Sequence, residues 1–261
     1  MQGSAISSAE QARHREPVYI FELPVRIWHW VHALSIVVLS VTGYLIAHPL
    51  SSPAGEASEN FLMGNMRLVH FIAGYVFAIG FLVRIYWAIV GNKYSRELFY
   101  LPVWSGKWWG ELIEELKYYL FLRREAPLTE GHNPLAQSAM WLLNTVLGIF
   151  MIGTGLAMHS ESLGLGSWAD RWFGWIVPVL GGSLNLKMWH YFGMWLFITF
   201  AIIHIYMAFR ADAMGRQSSV RTIIDGWRRY RDCGFAMASN VPPERETEWT
   251  TLVVGIGNLL G

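Results

Sequence analysis

The 261-residue chain contains only one cysteine, Cys233. A single cysteine cannot form an internal disulfide, a cysteine-rich zinc site or an iron–sulfur cluster, since each of these needs several thiols. The sequence also lacks a C-x-x-C-H motif, which excludes the covalent attachment of a c-type haem. Any metal site in this protein therefore needs ligands in addition to this one cysteine.

Charged residues are scarce as well. They make up 15% of the chain and leave a formal net charge of +1, so the protein has no electrostatic reason to bind nucleic acid. Residues 1–17 are polar and contain no apolar core. They are therefore not expected to be a signal peptide, and we expect residues 1–18 to form a flexible N-terminus. The nucleophilic and phosphate-binding motifs of hydrolases and kinases are also absent.

Hydrophobic residues, in contrast, make up 53% of the chain, which contains 14 tryptophans. This composition is typical of membrane proteins. Residues 93–134 mix aromatic and basic side chains and predict an amphipathic helix on the membrane surface, and the tryptophan-rich residues 159–187 are typical of a membrane interface. About 20 apolar residues suffice to cross a bilayer, and four runs meet this length: about 27–47, 66–90, 135–158 and 188–209.

The sequence thus predicts an all-α integral membrane protein, a four-helix transmembrane bundle with amphipathic surface helices. Residues 19–210 would form the four-span domain and residues 211–261 a C-terminal tail. Lysine and arginine are concentrated in three segments, with three in residues 1–26, six in residues 91–135 and seven in residues 210–261. Four spans place all three segments on one side, which the positive-inside rule assigns to the cytoplasm. We therefore expect both termini to be cytoplasmic.

Four histidines in the apolar runs can be sorted by depth. His190 and His204 are 14 residues apart on the fourth run, which is about 40° short of four turns and roughly 21 Å of helix, so both imidazoles face the same side. His70 lies near the outer start of the second run and His29 near the inner start of the first. Depth therefore pairs His70 with His190 outside and His29 with His204 inside. Neutral imidazole is a standard iron ligand, so the four side chains predict the axial ligands of two haems stacked across the bilayer.

Other interpretations of these residues remain open. His32 lies one turn after His29 and is an alternative inner ligand, and a histidine in a span can also be a hydrogen-bonded interior group. Arg84 lies 14 residues after His70 and Arg67 one turn before it, and each could contact a haem propionate or extend towards lipid headgroups. Seven glycines permit close approach of either a haem or another helix: Gly43, Gly74, Gly80, Gly148, Gly153, Gly155 and Gly193.

Polar residues at the inner ends of the third and fourth runs are candidates for a quinone site, because a quinone carbonyl needs hydrogen-bond donors and a proton route. The alternative for the segment before the third run is a turn in which Asn133 caps a helix and Pro134 occupies its first turn. The candidates are His132, Asn133, Gln137, Tyr206 and Arg210.

Several segments resemble the b-type cytochrome subunit of membrane-bound nickel–iron hydrogenases. The resemblance covers about residues 18–231 and favours His29 over His32 as a ligand, because His29 occupies the position of the family's signature. One signature runs from Arg26-Ile27-Trp28-His29-Trp30 through Leu34-Ser35 and Leu39 to Thr42-Gly43, and another from Trp189-His190 through Gly193-Met194-Trp195 to Phe200 and His204. Further matches are Asn65–His70, Arg84–Trp87, Gly91–Phe99 and Gly131–Pro134.

The resemblance implies a protein of the bacterial cytoplasmic (inner) membrane with two haems b. It would carry electrons from the small and large subunits of a periplasmic nickel–iron hydrogenase to quinone, anchor the hydrogenase in the lipid, and have no hydrogenase activity of its own. Lys187, Met188 and Tyr191 differ from the family's usual residues beside the third ligand. Two other functions remain open: the equivalent subunit of a formate dehydrogenase or thiosulfate reductase, and a membrane anchor with partial haem loading.

Overall fold

The computed structural model of the protein describes residues 17–51, 61–122, 132–214 and 218–229. Most of the flexible N-terminus predicted for residues 1–18 lies outside the described residues. So do Cys233 and most of the tail predicted for residues 211–261.

The fold is mostly helical, and four of its helices are long and apolar enough to cross a membrane, as predicted: α1 (Leu23–Ala47), α2 (Leu62–Val90), α4 (Pro134–Leu163) and α7 (Ser183–Met214). Each extends beyond its predicted apolar run at one end or both, because the helix continues into more polar sequence. The elements in chain order are β1 (Val18–Tyr19), α1 (Leu23–Ala47), α2 (Leu62–Val90), α3 (Gly106–Tyr119), α4 (Pro134–Leu163), α5 (Trp168–Phe173), α6 (Ile176–Val179), α7 (Ser183–Met214), α8 (Ser219–Asp225) and β2 (Trp227–Arg228).

Three of the shorter helices, α3, α5 and α6, lie in the two segments that were predicted to lie at the membrane surface. Within residues 93–134, α3 begins after Ser105, whose side chain accepts a hydrogen bond from the Trp108 backbone N–H and caps the helix. Residues 123–131 of this segment lie outside the described residues. The tryptophan-rich segment 159–187 contains α5 and α6.

The carboxylate of Glu22 joins the start of α1 to the end of α2. Its Oε2 accepts hydrogen bonds from Trp87 Nε1 at 2.9 Å, from the Asn92 backbone N–H at 3.0 Å and from Ser95 Oγ at 3.2 Å. One oxygen atom therefore satisfies three donors at the same end of the bundle.

We expect Glu22→Ala to lower the free energy of unfolding by roughly 2 kcal/mol or more, because Trp87 Nε1 and the Asn92 N–H would lose their acceptor and each buried donor left unsatisfied costs about 1–3 kcal/mol. Thermal unfolding of the detergent-solubilised protein measures the effect. Glu111→Ala is the matched control, since Glu111 is exposed and its one ion pair among the described residues is with Lys107 at 3.8 Å, a contact worth at most about 1 kcal/mol. Equal midpoints for the two variants would show that Glu22 is not a structural link.

A small β-pairing adds to the predicted all-α fold. β1 and β2 pair antiparallel, with Val18 opposite Arg228 and Tyr19 opposite Trp227. Gly226, between α8 and β2, has a φ of +87°, and a Cβ added there would lie 2.6 Å from the Tyr19 ring, so only glycine fits. The pairing brackets the four long helices, so β1 and β2 lie at the same end of the bundle. Part of the predicted C-terminal tail is therefore folded against the beginning of the domain.

An apolar layer fills the middle of the bundle. Phe77 of α2, Leu147 of α4 and Phe197 of α7 form a buried cluster, and the rings of the two phenylalanines meet edge to face with centroids 6.0 Å apart. Phe197 lies seven residues from both His190 and His204. The cluster therefore separates two levels of the bundle at which histidines are found. On the outer faces, large apolar side chains such as Leu34, Leu82 and Ile89 are exposed, as lipid-facing residues are.

Candidate functional site

The four histidines predicted as ligands form two facing pairs. The ring centroids of His70 and His190 are 6.5 Å apart, and those of His29 and His204 are 6.3 Å apart. All four side chains are half-buried. The pair of His70 and His190, which we call the outer pair, joins α2 to α7. The pair of His29 and His204, which we call the inner pair, joins α1 to α7 at a different depth.

The separation of the rings fits a metal between them. A metal–imidazole nitrogen bond is about 2 Å long, and ring covalent geometry places that nitrogen about 1 Å from the ring centre. Two imidazoles on opposite sides of one metal ion therefore have centroids about 6 Å apart. Both pairs match this separation, so both fit the two axial ligands of a haem iron.

The outer histidines have a further polar partner that the sequence analysis missed. His70 Nδ1 is 2.8 Å from Thr42 Oγ1, and His190 Nδ1 is 2.8 Å from Thr154 Oγ1. The inner pair differs, because His29 Nδ1 is buried and has no hydrogen-bond partner among the described residues. Both threonines precede a glycine, and Thr-Gly occurs only twice in the chain. That repetition is the signal that could have identified them.

His32, the alternative inner ligand, has a different partner, which lies on α4. Its Nε2 is 3.1 Å from Asn144 Oδ1 on α4, and its ring stacks on those of Trp28 and Phe77. Asn144 lies in a π-helical stretch of α4, Trp141–Val146, an irregularity common near functional sites. A polar contact at Nε2 and aromatic rings stacked on the imidazole leave His29 as the residue opposite His204.

The two arginines predicted to contact propionates differ in environment. Arg67 is exposed, whereas Arg84 is buried, with its guanidinium over the rings of Trp28 and Phe99. Arg84 Nη2 donates to the Ser95 carbonyl at 2.7 Å, but Nε and Nη1 have no hydrogen-bond partner among the described residues. Buried donors of this kind suit a carboxylate, and Trp28 precedes His29 in the chain, so Arg84 fits a propionate at the inner level.

Three of the quinone candidates are engaged in the structure at the start of α4. Asn133 Oδ1 caps the helix by accepting the Ala136 N–H at 2.7 Å. Gln137 is buried, accepts from Trp108 Nε1 at 3.1 Å and donates to the Tyr100 carbonyl at 2.7 Å. His132 Nδ1 is 2.7 Å from Glu97 Oε2, and His132 also lies within electrostatic range of both inner histidines.

The other two quinone candidates lie on α7. Tyr206 is exposed, and the Arg210 guanidinium lies over the rings of Tyr118, Tyr119 and Phe121. Burial, more than any neighbouring charge, raises the pKa of Tyr119 above its ordinary value. Asn133 and Gln137 thus have structural roles, while His132 is the candidate that interacts electrostatically with His29 and His204.

The fold and the site together define a membrane four-helix bundle with facing histidine pairs at two depths. Residues 20–226 match the family model described as prokaryotic cytochrome b561, and the chain belongs to that family. It is 51% identical over 223 residues to the probable Ni/Fe-hydrogenase B-type cytochrome subunit of Azotobacter chroococcum mcd 1, with 85% of this chain and 93% of that protein covered.

Two further relatives carry related names. The probable Ni/Fe-hydrogenase B-type cytochrome subunit of Cupriavidus necator is 51% identical, with 82% of this chain and 88% of that protein covered. The probable Ni/Fe-hydrogenase 1 B-type cytochrome subunit of Escherichia coli K12 is 46% identical, with 85% and 94% covered. The resemblance found in the sequence is therefore confirmed. A b-type cytochrome binds haem b, and the histidine pairs are where this chain offers suitable ligands.

Proposed function

We propose that this chain is the electron-transfer subunit of a membrane-bound nickel–iron hydrogenase, that it binds two haems b, and that it passes electrons across the bilayer to quinone. The observation that carries the proposal is the presence of two facing histidine pairs with ring separations of 6.5 and 6.3 Å. When bound, haem b supplies a centre that is reduced and oxidised by one electron at a time.

The residues of the chain set the depth and the surroundings of the two levels. His190 and His204 on α7 define levels that are roughly 21 Å apart along the helix. Between them, Phe77, Leu147 and Phe197 fill the bundle with apolar side chains and exclude water. Arg84 provides a buried positive charge at the inner level, where it favours a carboxylate and an additional electron.

The orientation follows from charge and from the fold. The basic segments lie on one side if all four long helices span the membrane, and the β1–β2 pairing supports a common side for residues 18 and 228. The positive-inside rule then makes that side the cytoplasm. The outer pair faces the periplasm, where the hydrogenase small and large subunits would dock, and this chain would hold them at the bacterial cytoplasmic membrane. The electrostatic energy of an electron that crosses the membrane towards the cytoplasm changes by about 2.3 kcal/mol per 100 mV of membrane potential.

Quinone would be reduced near the inner pair. His132 is the donor we favour, because it interacts electrostatically with His29 and His204 and its Nδ1 lies 2.7 Å from the Glu97 carboxylate. Tyr206 and Arg210 lie farther along α7, towards the cytoplasmic end. Asn133 and Gln137 would act by holding the start of α4 in place.

We expect the purified protein to contain two haems b per chain with two resolvable midpoint potentials. Pyridine haemochrome analysis and a reductive titration measure these values. Membranes that contain the chain and its hydrogenase should reduce quinone with hydrogen, and membranes without the chain should not. A folded chain that binds the hydrogenase but no haem would show that the chain is only an anchor. Electron delivery from formate dehydrogenase rather than from the hydrogenase would show that the hydrogenase is not the partner.

A further inference from the structure

The two Thr-Gly pairs, Thr42-Gly43 and Thr154-Gly155, occupy equivalent positions beside the outer histidines. The first lies on α1 and contacts His70 of α2, and the second lies on α4 and contacts His190 of α7. Helices α1 and α4, which carry no outer ligand, thus contact the outer ligands on α2 and α7. The arrangement occurs twice at one level of the bundle, in a chain with only these two Thr-Gly sequences.

The direction of each hydrogen bond follows from the second contact of the hydroxyl. Thr42 Oγ1 is 2.6 Å from the Val38 carbonyl oxygen, and Thr154 Oγ1 is 2.8 Å from the Phe150 carbonyl oxygen. Two oxygens approach this closely only through a proton, and a hydroxyl has only one. Each threonine therefore donates to its own helix and faces the histidine with a lone pair.

The threonine lone pair that faces Nδ1 fixes the tautomer of the imidazole. Nδ1 must carry the proton and donate it to the threonine, which leaves Nε2 with a free lone pair. In this tautomer Nε2 can bind iron. A histidine in the other tautomer would have to move its proton before it could act as a ligand.

The glycines fix the position of the same rings. A Cβ on Gly43 would lie 3.3 Å from His70 Cε1, and a Cβ on Gly155 would lie 3.4 Å from His190 Cε1. Cε1 is bonded to both ring nitrogens, so a methyl group that displaces it would also displace Nε2. The absence of a side chain lets the imidazole lie against the helix while it bonds to the preceding threonine.

We propose that Thr42-Gly43 and Thr154-Gly155 are positioning elements that hold His70 and His190 as Nδ1-protonated ligands of the outer haem. The inference rests on the proposed function. It also predicts a difference between the two levels, because an imidazole that donates from Nδ1 is a stronger electron donor to its metal and favours the oxidised iron. His29 has no such partner among the described residues. The outer haem should thus have the lower potential, which favours electron flow inwards.

The test uses Thr42→Val and Thr154→Val, alone and together, in the full-length protein. Valine keeps the shape of threonine but cannot accept the hydrogen bond. We expect the outer midpoint potential to rise by up to about 59 mV in the double variant, which is a tenfold change in the ratio of reduced to oxidised iron. The inner potential should not change. The electron paramagnetic resonance signal of the oxidised outer haem should shift with its potential.

Thr42→Ser and Thr154→Ser separate hydrogen bonding from packing. Serine retains the hydroxyl, so these variants should keep the wild-type potential and haem content even if the valine variants lose the outer haem. Thr145→Val is the matched control, since Thr145 is a buried threonine of α4 that donates to the Leu98 carbonyl. Two retained haems with unchanged potentials and spectra in the double valine variant would overturn the proposal, as would equal losses in the valine and serine variants.

The glycines are tested separately. Gly43→Ala should reduce outer haem occupancy, whereas Gly80→Ala should not, because a Cβ on Gly80 would lie 3.8 Å from the nearest atom, on Trp28. Equal occupancy in these two variants would contradict the steric part of the proposal. A wild-type chain without haem would refute the proposed function itself, whereas a wild-type chain with two haems and unresponsive variants would refute only this inference.

Discussion

His190→Ala is expected to halve the haem content, from two haems b per chain to one, and to stop electron flow from hydrogen to quinone. His190 faces His70 across 6.5 Å, and a six-coordinate haem that loses one of its two protein ligands is held only by the remaining imidazole and its apolar surroundings. The inner pair should keep its haem because His29 and His204 do not contact the substituted residue. Pyridine haemochrome analysis counts the haem, and a redox titration should show one potential.

His159→Ala is the matched control for this prediction. His159 also lies at the outer level, on α4, but its ring packs against Phe71 and Tyr75 rather than facing another histidine. It should retain both haems. Imidazole added to a His190→Gly variant should restore part of the lost haem, which a purely structural histidine would not permit. Two haems in His190→Ala, or one in His159→Ala, would show that the outer pair is assigned wrongly.

The helices could be predicted from the sequence because their signals are local. An apolar run long enough to cross the bilayer identifies a span without knowledge of its neighbours. Helical periodicity likewise placed His190 and His204 on one face. The alternation of sides from span to span then sufficed to match the depths of His29 and His70 with those of the two histidines on the fourth run.

Contacts between helices could not be predicted in the same way. Helix spacing alone could not decide between His29 and His32, which only the family resemblance separated, because the residue that engages His32, Asn144, is 112 positions away. The two threonines at the outer pair were missed for the same reason. A threonine in an apolar helix carries no local indication of whether its oxygen faces lipid, its own backbone or a ligand on another helix.

At the inner end of the bundle, the polarity of a residue was not enough to predict its role. Gln137 was a quinone candidate because it is polar at the end of a span, but its amide bonds to Trp108 and to backbone carbonyls. Similarly, residues 218–229 are mostly polar, yet the pairing of β2 with β1 and the packing of Ile223 on the beginning of the domain give them a folded position. Polarity at a span end thus indicates a polar environment without distinguishing a ligand from a structural link.

Arg84→Gln is expected to lower the potential of the inner haem. A buried guanidinium stabilises added negative charge, and a unit charge acting over about 10 Å at an effective dielectric constant of about 20 contributes roughly 1.7 kcal/mol. Its loss corresponds to a change of more than tenfold in the ratio of reduced to oxidised iron. The substitution is best made together with His190→Ala, so that a single haem remains and its potential can be titrated without overlap.

Two substitutions distinguish the charge of Arg84 from its packing. Arg84→Lys keeps the charge but loses the planar group between Trp28 and Phe99. The midpoint potential of the inner haem should therefore stay close to that of the arginine protein even if the lysine variant is less stable. Arg67→Gln removes an exposed arginine near the outer pair and should leave the inner potential unchanged. An inner potential that is the same with and without Arg84→Gln in the His190→Ala background would mean that the buried charge acts elsewhere, on the Ser95 carbonyl and the end of α2, where the guanidinium already donates one hydrogen bond.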